Sequence, residues 1–451
     1  MISFIHIERR DFMYENKKIL ILGAAKSGLA VAKLLANKNN DITLTDMKPL
    51  NKEDEQFLTD LGIKIVITSN QIDLIDTSWD LIVKNPAIMY TSQINQKCLA
   101  LNLRIENEME VAYHFLPANV RIIGITGSNG KTTTTTMIYD LLKKMHQPVI
   151  VGGNIGTPLS ALIPTIKENG ILVLEISDHQ LCDLHDFKTN ISVLLNICPT
   201  HLDYHGSYEH YKHTKSKIFN HHTKNDIAII NAQNKDALQE SENILSLKKY
   251  FNGANANIQN EQIVIENEPV LNIADIKIEG HHNYENIMAA LLVVKNYAWD
   301  LDIISDYFST FGGVEHRQEY VKKINGVKYY NDSKSTNPTS TITALKTFHE
   351  PIHLILGGLN RNQDYHELDK YMGSVKCIYA IGETTDMVVN YAQSLNIPVY
   401  PCYKLKSALE LIFKSAQSGE VVLLSPGASS QDQYPHFEDR GNEFKNIVEK
   451  F

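Results

Sequence analysis

The stretch GITGSNGKTTTTT, residues 124–136, lies between an apolar run, RIIGIT, and an amphipathic run through MIYDLLKKM. A strand, a glycine-rich turn and a helix start in that order make a phosphate-binding loop. Gly124, Gly127 and Gly130, with Ser128 and Asn129 between them, let backbone N–H groups close around phosphate oxygens; Lys131 brings a positive charge, Thr132 a hydroxyl for Mg2+, and Thr133 continues the first helical turn. The spacing departs from the general Walker pattern, because Ile125 stands where its first glycine is expected. A glycine-rich turn that binds no phosphate is the plainer alternative, and the Gly-Lys-Thr triplet after a strand weighs against it.

Other side chains add to this chemistry. Glu175 ends the apolar run GILVLEIS, where a carboxylate can meet a cation held at the loop, and His201 lies in THLDYHGS. In SYEHYKHTKSKIF, Tyr211, Lys215, Ile218 and Phe219 fall at helical spacing, so Lys215 shares the apolar face while Lys212 and Lys217 do not. An inward ammonium is costly unless paired, and snorkelling to the edge of the face is the plainer alternative. His205, His210, His213, His221 and His222 show no zinc spacing and are expected on a solvated helix and loop. GAAKSG, with Gly23, Lys26 and Ser27, follows KILILG and precedes Asp46 by about twenty residues, a Rossmann-like arrangement whose helix start can receive a pyrophosphate. Arg361 offers a planar fork for a carboxylate.

Positioning these groups requires an α/β chain. Apolar runs at 18–23, 41–46 and 80–85 alternate with helical stretches; a second series runs from RIIGITG through DIAIIN, and a third includes GVKYYNDS, PIHLILGG, CIYAIG and VVLLSP. Parallel sheets in three domains are expected, over 1–107, 108–313 and 314–451, the first and last Rossmann-like and the middle one of phosphate-loop type. Ligands gather at the carboxyl ends of such strands, where the chain puts Gly23, Asp46, Asn85, Gly127, Gly153, Glu175, Asn196, Asn331, Gly357 and Ser425. The length, 451 residues, and 43% hydrophobic content allow several cores. A net charge of −9 gives no global field for nucleic acid or an anionic membrane, so anionic ligands must be held locally. Five scattered cysteines without a CxxC pair read as reduced thiols, and no apolar run is long enough to span a bilayer; a cytoplasmic protein is expected. The first dozen residues, ahead of Met13, are expected to be loosely ordered.

GxTGxNGKTT is the signature of the Mur ligases, the amide-forming enzymes of peptidoglycan precursor synthesis, and the chain resembles them along nearly its whole length. GAAKSG, VKNPAI, GGNIG, EISDHQL, THLDYHGS, HNYENIMAA, HRQEYV, YYNDSKSTNP, GGLNR and DQYPHFEDRGNEF occur in the family's order. The short first domain and this motif order look most like the branch that joins D-glutamate to UDP-N-acetylmuramoyl-L-alanine. The resemblance implies ATP and two Mg2+ as cofactors, transfer of the γ-phosphoryl to a substrate carboxylate, and attack of an amine on the acyl phosphate. It implies Thr132, Glu175, His201 and Lys215 as metal ligands, with Lys215 carbamylated by CO2, and Lys131 and Lys334 acting in the reaction. Asn283, Asn286, Arg317 and Asp332 match nucleotide positions. Gly23, Lys26, Ser27, Asp46, Asn85 and Asn154 match the sugar-nucleotide side, and Ser177, Gln180, Ser333, Thr336, Arg361, Ser430 and Phe437 further substrate positions. It also implies a monomer whose domains close to bring Arg317, Asp332 and Lys334 to the phosphate site.

Some residues break the pattern: Asp178 and His179 for Ser and Phe, Ala87 for Gly, Asn360 for Asp, and SPGASSQDQY for SPACASxDQ. They leave open a ligase with another amino-acid acceptor, or a nucleotide-binding relative without catalysis.

Overall fold

The computed structural model describes residues 13–36, 38–278 and 280–451, with the backbone alone at 203. The expectation for the first dozen residues therefore lies outside the described residues. Contacts divide the chain into one unit ending at Ser309 and a second, Thr310–Phe451.

The first unit carries two sheets. One contains β1 (Lys18–Leu22), β2 (Asp41–Asp46), β3 (Lys64–Ile67), β4 (Leu81–Lys84) and β5 (Ile105–Glu106), all parallel, in the order β3-β2-β1-β4-β5. Along β1 the side chains alternate between two cores: Ile19 and Ile21 pack with Val31, Leu35 and Leu44 on one face, Leu20 and Leu22 with Ile82 and Ile105 on the other. A strand apolar at every position is what a sheet covered on both faces needs. The chain leaves β1 at Gly23 and enters α1 (Lys26–Ala36).

The second sheet contains β6 (Arg121–Thr126), β7 (Val149–Gly153), β8 (Ile171–Glu175), β9 (Ile191–Leu194), β10 (Ile227–Asn231), β11 (Leu247–Phe251), β12 (Ala256–Gln259), β13 (Gln262–Ile265) and β14 (Glu268–Asn272). Its order is β14-β13-β12-β11-β10-β9-β6-β8-β7. The strands from β6 to β12 pair in parallel, and β12, β13 and β14 pair antiparallel at one edge. Between strands lie α2 (Lys131–Lys144), α3 (Asp178–Cys182) and α4 (Tyr208–Ser216), and α5 (His281–Val294) follows β14.

The second unit has β15 (Glu319–Ile324), β16 (Val327–Asn331), β17 (Ile352–Leu356), β18 (Val375–Ile381), β19 (Val399–Tyr403) and β20 (Val421–Leu424), in the order β15-β16-β20-β17-β18-β19, and ends in α6 (Phe437–Glu449). Only β15 runs antiparallel. Leu354, Leu356 and Leu423 face one core, Ile355, Val422 and Leu424 the other.

The α/β class and the parallel-dominated sheets match expectation. The antiparallel strands β12–β14 and β15 do not follow from it: their runs are short, half polar and joined by tight turns, so neither periodicity stands out. No helix among the described residues is long and apolar enough to cross a membrane.

Candidate active site

The phosphate loop is built by the strand-to-helix turn from β6 into α2. Gly130 caps α2 with φ +84°, and a Cβ there would overlap Asn286 Oδ1, so glycine is required by backbone and by space together. Asn286 comes from α5, packed along α2, and its neighbour one turn back, Asn283, is half-buried. Gly124 has a different reason: it lies within β6, where a Cβ would sit 2.7 Å from Thr189 Cγ2. The Asn129 N–H donates to Asn196 Oδ1 at 2.9 Å, and the Ser128 hydroxyl lies 2.7 Å from the Tyr211 hydroxyl. Lys131 Nζ donates to the carbonyls of Gly127 (2.8 Å) and Ser128 (3.1 Å), and Thr133 is half-buried in the first turn of α2.

Thr132 Oγ1 donates to Glu175 Oε2 at 2.7 Å, and Asn154 Nδ2 to Glu175 Oε1 at 2.7 Å. Two residues, one just past the end of β7 and one at the start of α2, thus meet on the buried carboxylate that ends β8. His201 and Lys215 gather on Asp178, which follows Glu175 by three residues. Asp178 Oδ2 accepts from His201 Nδ1 (3.0 Å) and His205 Nε2 (2.9 Å), while Lys215 Nζ lies 3.3 Å from Oδ1. Burial opposes ionisation of Asp178, but the two imidazoles and the lysine outweigh it and hold the carboxyl far below its usual range. Burial, with Lys131 as a second cation, holds Lys215 down to about 8, against the pull of Asp178. His179, stacked on Tyr204 at 3.9 Å, is held down to about 4 by burial despite Asp178.

The apolar face carrying Tyr211, Lys215, Ile218 and Phe219 is buried as its spacing requires. Lys212 departs from expectation: it too is buried, paired with Glu209 at 2.8 Å. The solvated placement of the histidines also fails for two of them. His205 is buried on Asp178, and His222 is buried with Nε2 2.9 Å from Thr189 Oγ1 and 3.0 Å from Ser192 Oγ. Ser177 and Gln180 form the capping box of α3, each side chain bonded to the other's backbone N–H.

In the first sheet, Gly23, Asp46 and Asn85 stand at or just past the ends of β1, β2 and β4, three adjacent strands. Asp46 accepts from the N–H of Ala24 at 2.8 Å and so fixes the turn into α1, where Lys26 and Ser27 begin the helix. Gly23 has φ +105°, and a Cβ there would lie 3.0 Å from Asn85 Cβ. Ala87 is outside the left-handed region, and its N–H donates to Asn85 Oδ1 at 2.9 Å, so the loss of glycine strains nothing.

In the second unit, Asp332 is fully buried and accepts from Ser335 Oγ (2.6 Å), Ser425 Oγ (2.7 Å) and the Gln318 N–H (3.1 Å); burial pushes it up to about 6. Arg317 is exposed nearby in sequence, and Lys334 Nζ lies 5.8 Å from the Phe437 ring centroid. Ser333 Oγ donates to the Phe437 carbonyl at 2.8 Å and accepts from Arg440 Nε at 3.0 Å. Arg361 Nη2 donates to Gln431 Oε1 at 2.6 Å, so the guanidinium expected on a carboxylate rests on a neighbouring amide. Thr336 is half-buried and Ser430 buried. Gly427 takes φ +63°, which gives that departure a backbone reason.

Sequence reasoning missed Asp178 as the hub of the histidines, and also Tyr211 and Arg440. Asp178 had a signal, being out of pattern; its partners lie 23, 27 and 37 residues away and nothing local joins them.

Residues 125–294 match the Mur ligase middle domain, and residues 316–427 the Mur ligase glutamate ligase domain. The chain belongs to the Mur ligase family. It is 39% identical to UDP-N-acetylmuramoylalanine--D-glutamate ligase of Geobacillus kaustophilus over 97% of this chain and 98% of that one. It is 40% identical to the protein so named in Geobacillus sp. strain WCH70, over 98% of this chain and 99% of the relative. Among solved structures, UDP-N-acetylmuramate-alanine ligase MurC of Thermotoga maritima has the same fold at 18% identity, with a TM-score of 0.54 and coverage of 96% and 100%. MurF ligase of Thermotoga maritima, solved with ADP, is similar in fold at 18% identity, TM-score 0.53, covering 98% of this chain and 97% of the other.

Proposed function

We propose that this Mur ligase joins D-glutamate to UDP-N-acetylmuramoyl-L-alanine in the cytoplasm as a three-domain monomer, consuming ATP and releasing ADP and phosphate. The observation that carries this is a complete phosphate loop, with the Thr132 hydroxyl on the Glu175 carboxylate at 2.7 Å, in a chain about 40% identical along its length to ligases of that name.

A carboxylate is a poor electrophile, and phosphorylation by ATP makes it an acyl phosphate. The amine of D-glutamate then attacks the carbonyl carbon, the tetrahedral intermediate expels phosphate, and the amine loses a proton. Phosphoryl transfer depends on positioning and charge neutralisation. The loop's N–H groups and Lys131 are suited to the β- and γ-phosphates; Nζ, now on the carbonyls of Gly127 and Ser128, has only to swing outward. Thr132 and Glu175 are adjacent hard oxygen donors and fit Mg2+. When bound, Mg2+ neutralises charge developing on the transferred phosphoryl. His201 would serve a second cation through Nε2. The family pattern would add a carbamate on Lys215, buried 3.3 Å from Asp178, for that cation.

Asn283, Asn286, Arg317 and Asp332 are assigned to the nucleotide, and Gly23, Lys26, Ser27, Asp46, Asn85 and Asn154 to the UDP-linked substrate. Arg361, Ser430 and Phe437 are assigned to the incoming amino acid, whose two carboxylates need cationic donors, Ser333 and Thr336 to the substrate side near the reaction centre, and Lys334 to the reaction itself. The test is phosphate release and product mass with ATP, the UDP-sugar peptide and one amino acid at a time. Turnover is expected with D-glutamate; turnover with a different amino acid and not with D-glutamate would refute the assignment.

A further inference from the structure

The turn that leaves β4 is held from outside its own sheet. Residues 85–88 close it, with the Ile88 N–H on the Asn85 carbonyl at 3.0 Å, and Pro86 in second place suits the φ that such a turn needs. The carbonyls of Pro86 and Ile88 take their donor from far along the chain: the Tyr204 hydroxyl donates at 2.9 Å to the first and lies 3.2 Å from the second. Tyr204 belongs to the short helix Leu202–His205, just after His201, and is 4% exposed. A buried phenol needs a partner for its hydroxyl, and this turn supplies it. Two further contacts join the same pieces. Lys84 Nζ, 3.1 Å from Asp183, also donates to the Ile88 carbonyl at 3.3 Å, and the Tyr90 ring packs on His210 of α4 with centroids 4.3 Å apart.

We propose that Tyr204 is a positioning residue for the UDP-linked substrate: its hydroxyl clamps the 85–88 turn to the segment after His201, so that a nucleotide filling the turn also steadies that segment. This rests on the assignment of Asn85 to the UDP-linked substrate and goes beyond it.

The side chain of Asn85 shows what the clamp serves. Its Oδ1 accepts from the Ala87 N–H at 2.9 Å, which turns Nδ2 towards Gly23, 3.2 Å from where a Cβ there would lie. Gly23 leads into α1, whose first N–H groups suit a pyrophosphate. The direction of the Nδ2 donor is therefore set by the turn, and the turn by Tyr204. Removing the hydroxyl leaves the ring in its stack on His179, but two carbonyls of half-buried residues, Pro86 and Ile88, lose that donor and the turn loosens.

The test compares the full-length wild type with Tyr204→Phe and with Tyr208→Phe, which loses a hydroxyl bonded instead to Asp236 at 2.6 Å. Tyr204→Phe should raise the KM for UDP-N-acetylmuramoyl-L-alanine about fivefold or more, with kcat and the KM for ATP unchanged, because the interaction is common to ground and transition states. Tyr208→Phe should alter none of these. A lower melting temperature with unchanged KM in Tyr204→Phe would mean that the clamp serves the fold alone and overturns the proposal, as does an equal rise in KM in Tyr208→Phe.

Hydrogen exchange with UDP alone is the second measurement, and it reads the wild type even where Tyr204→Phe does not fold. The N–H groups of Tyr204 and His205 bond to the His201 carbonyl and that of Gly206 to Leu202, so the segment has amides to follow. UDP should slow exchange in residues 85–92 and also in 202–206, and Tyr204→Phe should keep the first protection and lose the second. Protection of 85–92 alone in the wild type, or of both segments in Tyr204→Phe, overturns the proposal. Protection of neither in the wild type shows instead that the turn takes no nucleotide, so the substrate assignment fails and the proposal with it.

Discussion

Lys131 carries its charge on a loop whose N–H groups are otherwise neutral, and nothing else in that turn can replace it. Lys131→Ala should lower kcat/KM for ATP about a hundredfold or more, measured by coupled ADP release, with far-ultraviolet circular dichroism unchanged. Asp332 makes a prediction about pH. Its carboxyl is raised to about 6 when folded, against an unfolded value near 3.8, so between these values the folded state binds more protons and stability falls as pH rises. The fall amounts to about 2.4 kcal/mol between pH 4 and pH 7. Denaturant titrations of the wild type and Asp332→Asn at both pH values should show a pH-dependent difference of that size, and equal pH dependence would contradict it. The phosphate loop was legible because its residues are contiguous and sit between an apolar strand run and a helix start. The Asp178 cluster was not, because three elements bring it together and the helical periodicity of Lys215 reveals burial but not the partner.

Among the elements, the turn from β6 into α2 tolerates least. Gly130 needs a left-handed backbone and leaves no room for a Cβ beside Asn286. Gly130→Ala should cost about 1–3 kcal/mol, seen as a lower melting temperature, and should weaken ADP binding in calorimetry. The end of β4 provides a second case: Lys84 is buried 3.1 Å from Asp183, itself buried after α3. Lys84→Met leaves that carboxylate without its cation and should destabilise the protein by about 3 kcal/mol, checked by chemical denaturation; a loss under about 1 kcal/mol would mean a solvated pair. Strands apolar at every position, such as β1, β8 and β17, were legible because a doubly covered sheet writes itself as a continuous run. Strands β12–β14 were not, since alternating polar edges with tight turns match neither period well.

At the scale of the molecule, the chain has two compact units, each with its own sheets and cores. Thermal unfolding should therefore show two calorimetric transitions, and Mg-ADP should raise the one belonging to the unit with the phosphate loop. At a hundredfold excess over Kd the added stability is about 2.7 kcal/mol; a single transition shifted as a whole would contradict the separation. The central claim is that ATP is spent to make a substrate carboxylate reactive toward an amine. It is tested most directly by labelling both carboxylate oxygens of UDP-N-acetylmuramoyl-L-alanine with oxygen-18 and recovering the phosphate after turnover with D-glutamate. An acyl phosphate leaves one labelled oxygen in each phosphate released. Phosphate without the label, with amide formed, would contradict the account.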